Sequence, residues 1–82
     1  MSQIDKFLQK ILSGQSDNNI NFNELRSLLL KLNFKERIKG DHHIFTKEDI
    51  DEILNIQPNG NNSKPYQIKQ IRNILLKYKL GV

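Results

Sequence analysis

At Asn33 the spacing of the apolar residues changes, and that change limits what this chain can fold into. Before it, Ile4, Phe7, Leu8, Ile11 and Leu12 recur at helical intervals, and Leu25, Leu28, Leu29 and Leu32 do so again. After it, Phe34, Glu36 and Ile38 alternate with Lys35, Arg37 and Lys39. Apolar positions on a 3.6-residue period line one face of a helix, and a period of two lines one face of a strand. The chain therefore mixes helices with strands.

The local signals mark out the elements. The first helix spans residues 2–13 and stops at Gly14. Asn21 can cap the second, Glu24 stands three residues later as in a capping box, and Ile20 can staple onto Leu25. That helix should end near Leu32 or Asn33. In the strand that follows, Phe34 and Ile38 are expected to face the helices. Lys35, Arg37 and Lys39 then project from the opposite, solvated face, about 7 Å apart. Gly40 can take positive φ cheaply and suits a tight turn. Residues 46–57 admit two readings. Thr46 with Asp49 resembles a capping box and Ile50, Ile53 and Leu54 have helical spacing; alternatively a third strand runs over residues 52–57 with Leu54 and Ile56 inward. Residues 57–62 read as a loop. Pro65 opens a last helix whose stripe is Ile68, Ile71, Leu75 and Tyr78, with Ile74 beside them, Lys69 and Arg72 on the solvated side, and Gly81 placed to close it.

At 82 residues the chain is a single domain, 1–82, near the low end of what one core can stabilise. With 37% apolar residues, mostly Leu and Ile, that core is small and aliphatic. The absence of cysteine excludes disulfides, thiolate zinc sites and a cysteine nucleophile. The formal charge is +4, compatible with a polyanion partner or with plain solubility. Its placement says more. After Asn62 come Lys64, Lys69, Arg72, Lys77 and Lys79 with no acid, while Glu48, Asp49, Asp51 and Glu52 cluster earlier. The longest apolar run, Leu28-Leu29-Leu30, cannot span a bilayer, and Asp5, Lys6 and Lys10 interrupt any signal-peptide pattern in residues 1–14. A cytoplasmic location is expected.

Both histidines, His42 and His43, stand just after Gly40-Asp41 and just before Ile44-Phe45. Imidazole exchanges protons near neutral pH, so one of them is the best candidate for chemistry. The plain alternative is two polar residues at a hairpin tip. Adjacent strand residues leave opposite faces, which argues against a zinc pair and means the two cannot share one role. If Ile44 packs inward, His43 lies with the cations on the solvated face; if Phe45 packs inward, the assignment reverses.

The string from Asn21 to Leu80 resembles the HicA family of small bacterial toxins, the ribonuclease partners in HicA–HicB toxin–antitoxin pairs. The residues that carry the likeness are Glu24-Leu25-Arg26-Ser27-Leu28-Leu29, then Phe34, then Lys39-Gly40-Asp41-His42-His43-Ile44-Phe45, and a basic helix with Lys69-Gln70-Ile71-Arg72. The resemblance implies an α+β fold like a double-stranded-RNA-binding domain, in the order α-α-β-β-β-α. Its three-stranded antiparallel sheet has helices on one face, which favours the strand reading of residues 52–57. The family core maps to residues 21–80 and the helix over residues 2–13 is additional. The catalytic histidine of the family's Gly-x-x-His segment falls on His43, in agreement with Ile44 packing inward; His42 and Gly40 support it. Asp41 stands where relatives usually carry Ser or Thr, and Gln57-Pro58 where many carry His-Pro.

The implied activity is metal-independent endoribonuclease cleavage of mRNA, with a HicB-like antitoxin as partner and no cofactor. The chemistry suits the residues. A 2′-OH can attack the adjacent phosphate if a proton-transfer group and positive charge are at hand. His43 would move the proton, and Lys35, Arg37, Lys39, Lys69 and Arg72 would contact phosphates. A non-catalytic RNA-binding module and a basic protein-interaction domain are the alternatives.

Overall fold

The computed structural model describes residues 3–81, so Ser2, expected to open the first helix, lies outside the described residues. Three helices and a three-stranded antiparallel sheet follow one another as α-α-β-β-β-α. They are α1 (Gln3–Ser13), α2 (Phe22–Lys31), β1 (Lys35–Lys39), β2 (His42–Thr46), β3 (Leu54–Ile56) and, after a small hairpin of β4 (Pro58–Asn59) and β5 (Asn62–Ser63), α3 (Pro65–Lys77). The sheet runs β1-β2-β3 with β2 in the middle.

The helix ends obey the same local chemistry twice. Asn21 Oδ1 accepts the Glu24 N–H at 2.9 Å and caps α2 as the sequence predicts. At the other end Asn33 takes a φ of 72° and the Phe34 N–H reaches back to the Leu29 carbonyl at 3.0 Å. This Schellman closure turns the chain so that Phe34 is buried against the core. α3 closes the same way, but through Lys79 at φ 55° rather than the expected Gly81, with Leu80 N–H bonded to Leu75 O at 2.9 Å. The apolar residue that returns to the core is Leu80, so the left-handed residue must be the one before it.

Residues 46–57 hold a strand and no helix. Leu54 and Ile56 are fully buried with exposed Asn55 between them, a period of two. The free edge of β3 is occupied by Gln67 of α3. Its side-chain amide donates to Asn55 O at 3.3 Å and accepts the Gln57 N–H at 3.2 Å, in place of a further strand. The stretch expected to be only a loop forms the β4–β5 hairpin. Gly60 and Gly40 each supply positive φ at the first of two turn residues, as a type II′ hairpin turn requires. The small hairpin then docks on the entry to α2, where Asn61 O accepts the Phe22 N–H at 2.9 Å and Ile20 O accepts the Ser63 N–H at 2.8 Å. A helix-start donor and an approaching chain are both satisfied.

One apolar cluster joins all three helices to the inner face of the sheet. Phe7, Leu8 and Ile11 of α1 lie in it beside Leu25, Leu28 and Leu29 of α2, Phe45, Leu54 and Ile56 of the sheet, and Ile68, Ile71 and Leu75 of α3. The α1 stripe thus packs within the domain. Arg72 locks it there. Its guanidinium pairs with both oxygens of Asp17 at 2.9 and 3.0 Å and also donates to Ile11 O, a last-turn carbonyl of α1, at 3.1 Å. Glu52, gripped by Lys77 Nζ at 2.8 Å and Tyr78 Oη at 2.5 Å, ties the loop before β3 to the end of α3.

Removing residues 1–14 should therefore lower the melting temperature sharply, and Ile11→Ala should cost about 2–5 kcal/mol in denaturant unfolding. The Arg72 hydrogen bonds hold the Asp17 carboxyl below its ordinary value of 3.8. A folded value below the unfolded one gives stability that is complete above the ordinary value and lost as pH falls through the folded one. Melting temperatures at pH 7 and pH 3 should accordingly differ less in Asp17→Asn than in the wild-type chain.

Candidate active site

The facing of the β1–β2 hairpin follows from which of two adjacent apolar residues enters the core. β2 offers Ile44 and Phe45 on opposite faces. Phe45 is fully buried, opposite Leu54 on β3 and Glu36 on β1, while Ile44 is half-buried opposite Arg37 and Asn55. Directly opposed residues share a face. His43, opposite Ile38 and Ile56, therefore lies on the inner face with Phe45 and Glu36. His42, opposite Lys39, lies outside with Lys35, Arg37 and Ile44. This corrects the expected arrangement, in which Ile44 pointed inward and His43 stood among the cations. Alternation alone cannot rank two adjacent apolar residues; the space under the helices takes the larger ring.

Ile38 faces the side of the helices as expected, yet it is 54% exposed. Exposure grows along β1 from buried Phe34 through half-buried Glu36 to Ile38. The helices cover the far end of the sheet and stop short of the Gly40 turn. His43 sits at that rim, its side chain 13% exposed.

Three side chains hold His43. Its Nδ1 is 2.8 Å from Glu36 Oε2. Arg26 of α2 clamps that carboxylate with both ends, Nε to Oε2 at 2.6 Å and Nη2 to Oε1 at 2.8 Å. Phe22, in the first turn of α2, meets the imidazole edge-on with 4.9 Å between ring centroids. The Arg26 hydrogen bonds, with a smaller contribution from His43, hold the Glu36 carboxyl below the usual carboxylate range. Nε2 of His43 has no hydrogen-bond partner among the described residues and is not fully enclosed.

His42 is arranged differently. Its Nδ1 is 3.1 Å from Asn55 Oδ1 and its Nε2 is 3.2 Å from Gln57 Nε2. Gln57 is held in turn by Lys64 Nζ at 3.0 Å and stands 3.4 Å from Asp41 Oδ1. Both ring nitrogens of His42 are thus engaged, although its side chain is 48% exposed. Only His43 presents a free nitrogen.

Lys35, Arg37 and Lys39 form an exposed row on the outer face of β1, and Lys69 is exposed on α3. Arg72, expected beside Lys69 as a phosphate contact, has its guanidinium committed to Asp17 and Ile11 and its side chain only 15% exposed. Glu36 and Arg26 are not among the residues that the sequence places at the site. The signal for Glu36 was present: a carboxylate at the middle of Phe34, Glu36 and Ile38, three positions of one strand face. Among the described residues no three His, Asp or Glu side chains gather to hold a metal ion, and no helix is long and apolar enough to cross a membrane.

The sheet with helices on one face is compatible with the double-stranded-RNA-binding-domain class of α+β domain. A family model described as HicA toxin of bacterial toxin–antitoxin matches residues 22–78, and the chain belongs to the HicA toxin family. Comparison with curated proteins and with solved structures found no match.

The facing of β2 can be tested directly. Phe45→Ala should destabilise the domain by about 3–5 kcal/mol, and Ile44→Ala by far less. Equal losses in chemical denaturation, or a larger one for Ile44→Ala, would turn the strand over and return His43 to the cationic face.

Proposed function

We propose that this chain is the toxin of a HicA–HicB type II toxin–antitoxin pair and acts in the cytoplasm as an endoribonuclease on mRNA. In this reading His43 is the proton-transfer group and no metal ion takes part. The observation that carries it is the contrast between the two histidines. His43 is braced at Nδ1 and open at Nε2, whereas His42 is bonded at both nitrogens.

The reaction is the attack of an RNA 2′-OH on its own 3′-phosphate. A bond forms from O2′ to phosphorus and the bond to the 5′-oxygen of the next nucleotide breaks. The products are a 2′,3′-cyclic phosphate and a free 5′-OH. Nε2 of His43 either takes the proton from the 2′-OH or gives one to the departing 5′-oxygen, a contribution of roughly 10²–10⁴-fold in rate. Arg37, Lys39 and Lys35 grip the backbone as it passes round the turn end of the hairpin, and Lys69 adds a further contact. Arg72 serves by holding α1 and α3 together. Gly40 makes the turn on which both histidines depend. A HicB-like antitoxin is the protein partner.

One observation favours a second reading. The row of cations and His43 occupy opposite faces of the hairpin, which would suit an RNA-binding or partner-docking face with no catalysis.

Induced expression in bacteria separates the two. His43→Ala should abolish growth arrest and lower cleavage of purified mRNA by two or more orders of magnitude. Its RNA affinity should be retained, and His42→Ala should keep substantial activity. Cleavage should persist in excess chelator. Full activity in His43→Ala, with His42→Ala dead, would move the reaction to the outer face. Equal toxicity in all three chains would leave only the binding reading.

Binding should weaken steeply with salt, with a slope of about −0.7 per phosphate neutralised on a single strand. Replacing Arg37 and Lys39 together with Ala should flatten that slope for every RNA sequence. An unchanged slope would make β1 an ordinary solvated face.

A further inference from the structure

We propose that Glu36 is the positioning residue of His43, held in its turn by Arg26, and that this support confines proton transfer to Nε2. The inference rests on the ribonuclease reading above.

An ionised carboxylate has no proton to give and can only accept. With Glu36 clamped by a guanidinium at 2.6 and 2.8 Å, the 2.8 Å contact to His43 is a donation from Nδ1–H. The neutral ring then carries its lone pair on Nε2, the nitrogen without a partner among the described residues. Turning the ring over would bring a carbon to the carboxylate and lose that hydrogen bond. Phe22, packed against the ring at an interplanar angle of 72°, restricts the same rotation. Tautomer and orientation are both set by neighbours of the ring, Glu36 and Phe22.

The placement of Glu36 also needs a reason beyond stability. It lies on the inner face of β1, between Phe34 and Ile38 in sequence and directly opposite fully buried Phe45. An apolar residue there would extend the core. A charge so placed must be desolvated, and an ion pair rarely outdoes well-packed apolar groups of similar volume. The arrangement is understandable if the carboxylate is needed where it is. The competing explanation is a simple tether from α2 to β1, and the two make different predictions.

The test uses the full chain, ¹⁵N-labelled, with Glu36→Gln, Arg26→Gln and His43→Ala variants. Single-turnover cleavage, RNA affinity, ring-nitrogen shifts without RNA, and melting temperature are read for each. Gln fills the space of Glu36 but can donate as well as accept, so it releases the tautomer. Glu36→Gln should cleave between about 10- and 10⁴-fold more slowly with RNA affinity unchanged. Its His43 ring should shift from the Nδ1-protonated form toward a mixture. Arg26→Gln keeps the carboxylate and should lose less rate and keep the tautomer; it carries the test if Glu36→Gln does not fold. A tether alone would lower the melting temperature of both variants and leave rate and tautomer at wild-type values, overturning the positioning role with the ribonuclease reading intact. A wild-type His43 ring protonated at Nε2 would also overturn it. Cleavage unaffected by His43→Ala would overturn the ribonuclease reading and this inference with it.

Discussion

The burial of Phe45 is the contact on which the rest of the arrangement depends. β2 is the middle strand, so its facing sets the facing of β1 and β3 through the register. With Phe45 inward, Leu54 and Ile56 join it and the helices have a continuous apolar surface to pack on. The same choice sends His43 inward beside Glu36 and His42 outward beside Lys39. Because side chains alternate strictly along a strand, one ring decides the environment of both histidines.

What becomes of an inward histidine depends on how far the helices reach. Deep under α2 it would be enclosed and of no use to a large substrate. Two residues nearer the turn than Phe45, it lies at the edge of the cover, where Ile38 across from it is already exposed. A rim position provides packed neighbours on one side and solvent on the other. Arg26 and Phe22, both on α2, and Glu36 on β1 brace the ring from two elements. The Schellman closure at Asn33 sets how those two elements meet. Local helix-end chemistry and the geometry of the candidate site are thus the same problem.

The segment that matches the HicA family model begins at residue 22, yet α1 lies before it and buries three side chains in the common core. Arg72 connects the two parts, since it satisfies a carbonyl at the end of α1 and a carboxylate in the loop after it from a position on α3. In an 82-residue chain, where each buried aliphatic side chain contributes roughly 1.5–3 kcal/mol, such a helix is a large share of the whole. It gives the domain a third helix to close its core and leaves the outer face of the sheet bare.

Much of this was legible in the residues themselves. The helix at each end, the Asn21 cap, the Gly40 turn, the strand at Phe34 and the apolar stripes all depend on neighbours within a few positions, where periodicity and capping chemistry act directly. The family likeness, carried by the segment around Gly40 and the closing basic helix, settled residues 52–57 in favour of a strand where local patterns were balanced between two readings. What the residues could not decide was anything that requires knowing which face is covered and how far. Ile44 against Phe45, the exposure of Ile38, the ion pair that removes Arg72 from the surface, and the support of His43 by Glu36 and Arg26 each depend on packing between elements distant in sequence. Alternation supplies two equivalent faces, and only the tertiary fold chooses between them.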